Sequence, residues 1–210
     1  MKGRNMALRA AMPLAFLVVA GSANAVVAFS NFGPGDSFLT STGWTISGPT
    51  SAPGNFDQGE QFTAGATGSV STIRLALQNV LGANQYIVAL YDDAGDAVGN
   101  LMMAWSGVGA MGAFGSSSIL TLTNPFPSVS LTNGNKYWLI ASAADDAWNA
   151  WMFNDQGGMG NHAFSADDGA TYGYTTQNQG AFEVNVVPEP ASMSAIAAGI
   201  AAMALRRRRK

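Results

Sequence analysis

Ile73-Arg74-Leu75-Ala76-Leu77-Gln78 decides the fold. Large apolar residues fall at every second position, the period of a strand with one face in a core and the other toward water. Tyr86, Val88 and Leu90 then alternate with Ile87, Ala89 and Tyr91, apolar on both faces, so this strand is expected inside a sheet. Asp92-Asp93-Ala94-Gly95-Asp96 closes it with turn residues. Working outward, Trp44–Ile46, Glu60–Phe62, Leu101–Val108, Lys136–Ala141, Trp148–Phe153 and Phe182–Val186 read as further strands, with Asn133-Gly134 as a hairpin-type turn. Residues 107–118 and 154–180 are rich in Gly, Ser, Asn and Gln and read as loops. No stretch has helical amphipathic spacing, and no fixed-period repeat occurs. About nine or ten short strands between regular turn signals predict an all-β antiparallel β-sandwich of jelly-roll, lectin-like topology.

Both ends of the chain carry addresses. Lys2, Arg4 and Arg9 precede an apolar run from Ala10 to Ala20, and Ala23-Asn24-Ala25 offers a small-x-small cleavage site. This reads as a secretory signal helix cut after Ala25, with Ala28 as a second possible cut. At the other end Pro188-Glu189-Pro190 precedes an apolar run from Ala191 to Leu205, then Arg206, Arg207, Arg208, Arg209 and Lys210. The two prolines keep Glu189 out of regular structure and within reach of a processing enzyme. The run is shorter than the usual span of about 17–25 residues, which suits a removable hydrophobic helix better than a permanent anchor, and the cations hold its end on the cytoplasmic side. The expected division is a signal peptide at 1–25, an ectodomain at 26–187 and a sorting tail at 188–210.

Val187-Pro188-Glu189-Pro190, the short apolar run and the terminal arginines together resemble the PEP-CTERM sorting signal of exported bacterial proteins. That resemblance implies recognition by the membrane enzyme exosortase, transient inner-membrane insertion, and delivery to the cell envelope, cell surface or extracellular matrix. Asn31-Phe32-Gly33-Pro34-Gly35-Asp36, Gly43-Trp44-Thr45, the Ser71–Leu77 strand, Val88–Asp93 and Tyr137-Trp138-Leu139 ahead of Trp148 are similar in their order to the choice-of-anchor ectodomains found before such tails. That likeness implies a lectin-like sandwich and assigns no activity.

Charge is distributed unevenly. The whole chain is formally −3, but the body 26–187 keeps only Arg74 and Lys136 against twelve acids and stands at −10. Such a surface repels phosphate backbones, so nucleic acid is excluded as a partner. There is no cysteine, which excludes thiol catalysis, thiolate metal sites and disulfides.

Candidate sites are sparse. His162 is the only histidine and is expected in a surface loop, with no serine elbow near it in sequence, so no catalytic residue is assigned. Asp92, Asp93 and Asp96 crowd one turn and are the candidate ligands for a structural Ca²⁺; Asp145-Asp146 and Asp167-Asp168-Gly169 are similar clusters. Trp148 and Trp151, three apart in a strand, face opposite sides and are the candidate glycan contacts. The expectation is a non-enzymatic, structural or adhesive surface protein associated with exopolysaccharide. A carbohydrate-binding module with two exposed tryptophans on one face is the first alternative. A secreted hydrolase, with two acids in a cleft or His162 beside a serine, is the second.

Overall fold

The alternation at Ile73–Leu77 is realised as two strands with a corner between them. A computed structural model describes residues 24–124, 129–188 and 199. Its strands, in chain order, are β1 (Val26–Ser30), β2 (Gly43–Ser47), β3 (Asp57–Thr63), β4 (Gly68–Leu75), β5 (Leu77–Leu81), β6 (Gln85–Asp93), β7 (Val98–Val108) and β8 (Gly112–Ala113). They continue as β9 (Leu120–Thr123), β10 (Ser130–Leu131), β11 (Lys136–Ser142), β12 (Trp148–Met152), β13 (Met159–Ser165), β14 (Gly173–Asn178) and β15 (Phe182–Val187).

Three sheets result. The largest has the order β14-β13-β3-β11-β6-β7. A second runs β1-β15-β4-β10, with β9 also paired to β4, and a third runs β2-β12-β5-β8. All pairings are antiparallel except the two-residue pair of β5 with β8. The second and third sheets meet at Ala76: its N–H donates to Ala181 O at 3.0 Å, and its carbonyl accepts from Met152 N at 2.9 Å. Backbone bonding therefore runs on from β4 into β5, and the two smaller sheets form one layer facing the large sheet.

The core lies between these layers. Ile73, Leu75 and Leu77 enter it from β4 and β5, Val88 and Leu90 from β6, Leu139 from β11, and Phe182, Val184 and Val186 from β15. These residues are wholly buried, as period-two burial requires. The architecture is the expected all-β sandwich.

Two expectations are corrected. Residues 154–180 are not mainly loop: they hold the hairpin β13–β14, paired from Met159↔Asn178 to Phe164↔Gly173. β14 is exposed along its whole length, so it lacks the apolar face that marks a strand in sequence. His162 accordingly lies on a strand and not in a surface loop, and it is 2% exposed.

Residues Ala23–Glu189 form one compact unit, and Met1–Ser22 and Pro190–Lys210 fall outside it. β1 pairs with β15 from Val26↔Val186 to Ser30↔Glu183, and β15 pairs on its other side with β4. Both ends of the ectodomain are thus fixed in one sheet. Ala25 is exposed just before β1, whereas Ala28 is buried in the core. Ala23, Glu189, Pro190, Ala191, Leu205, Arg206, Arg207, Arg208 and Arg209 lie outside the described residues, as do the expected signal and tail helices apart from Gly199, which is helical. Among the described residues no helix is long and apolar enough to cross a membrane.

Candidate functional site

β3 reads Asp-Gln-Gly-Glu-Gln-Phe-Thr, and six of its seven residues are buried although most are polar. A central strand of this composition needs partners for every side chain, since a buried polar group without one costs about 1–3 kcal/mol. Its register places Glu60 between Leu139 and His162, so these side chains share the inner face. Gln58 and Phe62 share that face by period two.

Glu60 is fully buried, and its Oε1 accepts from Trp44 Nε1 at 3.1 Å and from Gly180 N at 2.9 Å. His162 Nδ1 lies 3.3 Å from the same oxygen, and its Nε2 lies 2.9 Å from Gln58 Oε1. Gln58 turns its amide nitrogen to Thr45 O at 2.8 Å, which fixes its oxygen toward the imidazole, so Nε2 is the donor there. Nδ1 faces the Glu60 carboxylate, whose second oxygen, Oε2, is buried and meets no partner. Burial pushes the Glu60 carboxyl upward, and the donors on Oε1 oppose that shift only in part. Trp44 covers the imidazole, stacked at 4.2 Å. The partners of the two ring nitrogens are Glu60 and Gln58, the pattern of a core histidine paired within the fold.

This polar core opens at one edge. Trp44, Gln58, His162, Phe164, Thr175 and Gln177 line a cleft of about 400 Å³ beside β14, the edge strand of the large sheet. Phe164 is 39% exposed and packs on Phe56 at 5.5 Å. The cleft combines flat aromatic faces with neutral amides and a hydroxyl, and no carboxylate lines it. These are groups that bind an uncharged polyhydroxylated ligand, with rings for stacking and amides for hydrogen bonds. Sequence reading missed Gln58, Phe164 and Gln177. The available signal was the run Asn161-His162-Ala163-Phe164 facing Tyr174-Thr175-Thr176-Gln177 across Asp167-Asp168-Gly169, a hairpin pattern with a turn between.

The tryptophan pair does not form a platform. Trp151 is wholly buried and donates Nε1 to Ala181 O at 3.1 Å, because its strand position faces the core. Trp148 is half-buried. None of the five tryptophans is among the exposed large apolar residues; Trp138 is as buried as Trp151.

The Asp92–Asp96 turn is held by its own hydrogen bonds. Asp93 accepts from Trp138 Nε1 at 2.8 Å and Gln61 Nε2 at 2.6 Å, as well as from the backbone of Gly95 and Asp96. Burial raises its carboxyl, these donors lower it, and the donors prevail. Asp96 pairs with Lys136, and Asp92 takes the backbone and side chain of Asn100. Among the described residues no three acidic or histidine side chains group closely enough to hold a metal ion.

The comparisons with known proteins bear on the end of the chain. Residues 186–209 match the PEP-CTERM protein-sorting motif. The match begins at Val186, inside β15, so the motif joins the folded domain without a linker. Pro188, its first proline, is half-buried at the strand's end. The motif implies export, processing by an exosortase-like enzyme, and sorting to the cell envelope or surface. A search of curated proteins gives no match to this chain.

Proposed function

We propose that residues 26–187 form a non-enzymatic surface domain that associates with exopolysaccharide at the cell surface or in the extracellular matrix, after a sorting enzyme has processed the tail. The sorting motif continuous with β15 carries the reading, since it makes the domain the cargo of that route. The neutral, aromatic cleft beside Trp44 and Phe164 supports a glycan ligand, and the −10 body speaks against anionic polymers. A jelly-roll, lectin-like topology and transient membrane insertion of Ala191–Leu205 belong to the same proposal. The fold favours signal cleavage after Ala25: a cut after Ala28 would remove the pairs Val26↔Val186 and Val27↔Asn185 and one buried core residue. The hydrogen bonds that Asp92, Asp93 and Asp96 make within the chain speak against a structural Ca²⁺ in that turn.

The test has two parts. Intact mass of the exported protein is measured in hosts with and without the sorting enzyme. Loss of residues 1–25, and of mass near Glu189 only when the enzyme is present, is the expected result. A tail retained in both hosts would refute processing. The exported protein is then run through immobilised exopolysaccharide, with Phe164→Ala and Gln177→Ala alongside. Retention that drops at least about tenfold in the variants supports the cleft, as loss of one stacking contact and one hydrogen bond predicts. Equal elution of all three would refute it.

A further inference from the structure

The outer face of the large sheet carries a second concavity, unconnected with the glycan cleft. Asp57, Ser142 and Ile87 border it from β3, β11 and β6, and Pro49, Asp145 and Asp168 close it from the surrounding loops and turns. Its volume is about 300 Å³. The walls contributed by Pro49, Ile87, Ala143 and Ala144 are aliphatic.

Asp57 is 4% exposed, yet its carboxylate receives no hydrogen bond, and only burial and the charges of Asp168 and Asp167 act on it. Its neighbours differ. Asp168 accepts from Asn55 Nδ2 at 2.6 Å, and Asp145 accepts from Gln85 Nε2 at 3.1 Å. The Asp57 oxygens open onto the cavity and are not sealed in the core, so a carboxylate this far buried and without a protein donor is placed to take a cation from the cavity side. The two body cations are engaged: Arg74 pairs with Asp36 and Glu183, and Lys136 pairs with Asp96. A bare metal ion is a poor occupant, because these acids do not converge as a ligand set.

We propose that this concavity binds a primary ammonium group on an aliphatic stem, with the head on Asp57 and the stem along Ile87, Ala143 and Pro49. The head needs only the Asp57 carboxylate as its direct partner, and the charges of Asp145 and Asp168 at the cavity wall add attraction without converging on it. A planar guanidinium would want two oxygens of one carboxylate edge-on, with matching acceptors in its plane. Two sources present this chemistry, a free alkylamine or polyamine and a lysine side chain on a protein. The proposal is independent of the glycan reading, which concerns other residues.

Binding also carries a pH signature. Burial first, then Asp168 and Asp167, push the Asp57 carboxyl up to about 6. Asp145, Tyr91 and Tyr172 are the other titratable groups around it, and both phenols are raised, chiefly by burial. Asp57 is therefore charged at neutral pH and largely neutral near pH 5, so an ammonium ligand is held at the former and released at the latter.

The test is calorimetric titration of the full chain with n-butylammonium, spermidine, an acetyl-lysine-amide peptide, methylguanidinium and Ca²⁺. Binding of butylammonium near neutral pH, weakened about thirtyfold or more by Asp57→Asn and lost near pH 5, is expected. Ile87→Trp, which fills the cavity from its exposed outer-face position and leaves every charge in place, should abolish the same binding. Tighter binding of spermidine than of the peptide assigns the free-amine source, and the reverse assigns the protein source. No butylammonium binding by the parent, equal binding by Asp57→Asn and Ile87→Trp, or preference for methylguanidinium or Ca²⁺ would overturn the proposal.

Discussion

Glu60 and Asp57 lie three residues apart on the same strand, and both are buried acids, but they are treated in opposite ways. Odd spacing sends them to opposite faces. On the inner face, one Glu60 oxygen meets an indole N–H, a backbone N–H and an imidazole, while Oε2 is buried without a partner. On the outer face Asp57 meets no donor and opens onto a cavity. The difference teaches how to sort buried charge. An acid held by donors of its own chain inside a closed core is part of the scaffold even with one oxygen unmet, whereas an acid without donors that opens onto a cavity is available to a ligand.

The contrast can be broken most severely at Glu60. Glu60→Ala leaves the Trp44, Gly180 and His162 donors facing each other in a dry core and should cost about 3–5 kcal/mol in urea unfolding. A loss below about 1 kcal/mol would show that Glu60 is not structural. Trp44→Phe removes one of the three donors and keeps the ring that covers His162, so a loss of about 1 kcal/mol is expected.

Asp57→Asn should act in the reverse direction and raise stability. Burial pushes the folded carboxyl up to about 6 from its ordinary 3.8. The folded state therefore prefers the protonated form, and ionisation costs stability that grows as pH rises through this interval. The variant should gain about 1 kcal/mol above pH 6, allowing for water in the cavity, and the gain should vanish as the pH falls below 4. A loss of stability at neutral pH would mean that Asp57 has a partner in the folded chain. Asp96→Asn is the mildest test: the ion pair with Lys136 is exposed, so thermal unfolding should hardly move.

Legibility in the sequence followed the physical type of signal. Ile73, Leu75 and Leu77 were readable because one face of their strands enters a core and the other does not. β14 was not, because Gly173 to Asn178 is exposed throughout and has no face to mark. β3 was seen only in part, as Glu60-Gln61-Phe62, since its burial rests on hydrogen bonds and not on apolar side chains. His162 and Glu60 stand 102 residues apart, so no local spacing could join them, and the same holds for Asp57 and Asp168. The three-residue spacing of Trp148 and Trp151 did not say which one the core would take; it takes Trp151. The sorting tail was the clearest reading because its information is linear: order, charge and hydropathy suffice without a fold.

β15 runs directly into the sorting motif and is flanked by β1 and β4. In mechanical terms, a pull on the tail enters the domain along the axis of a strand that has backbone bonds on both sides. Such a load divides among many bonds strained in shear, instead of opening them one at a time from an edge. A pull on the tail would thus meet the domain where it is hardest to unravel.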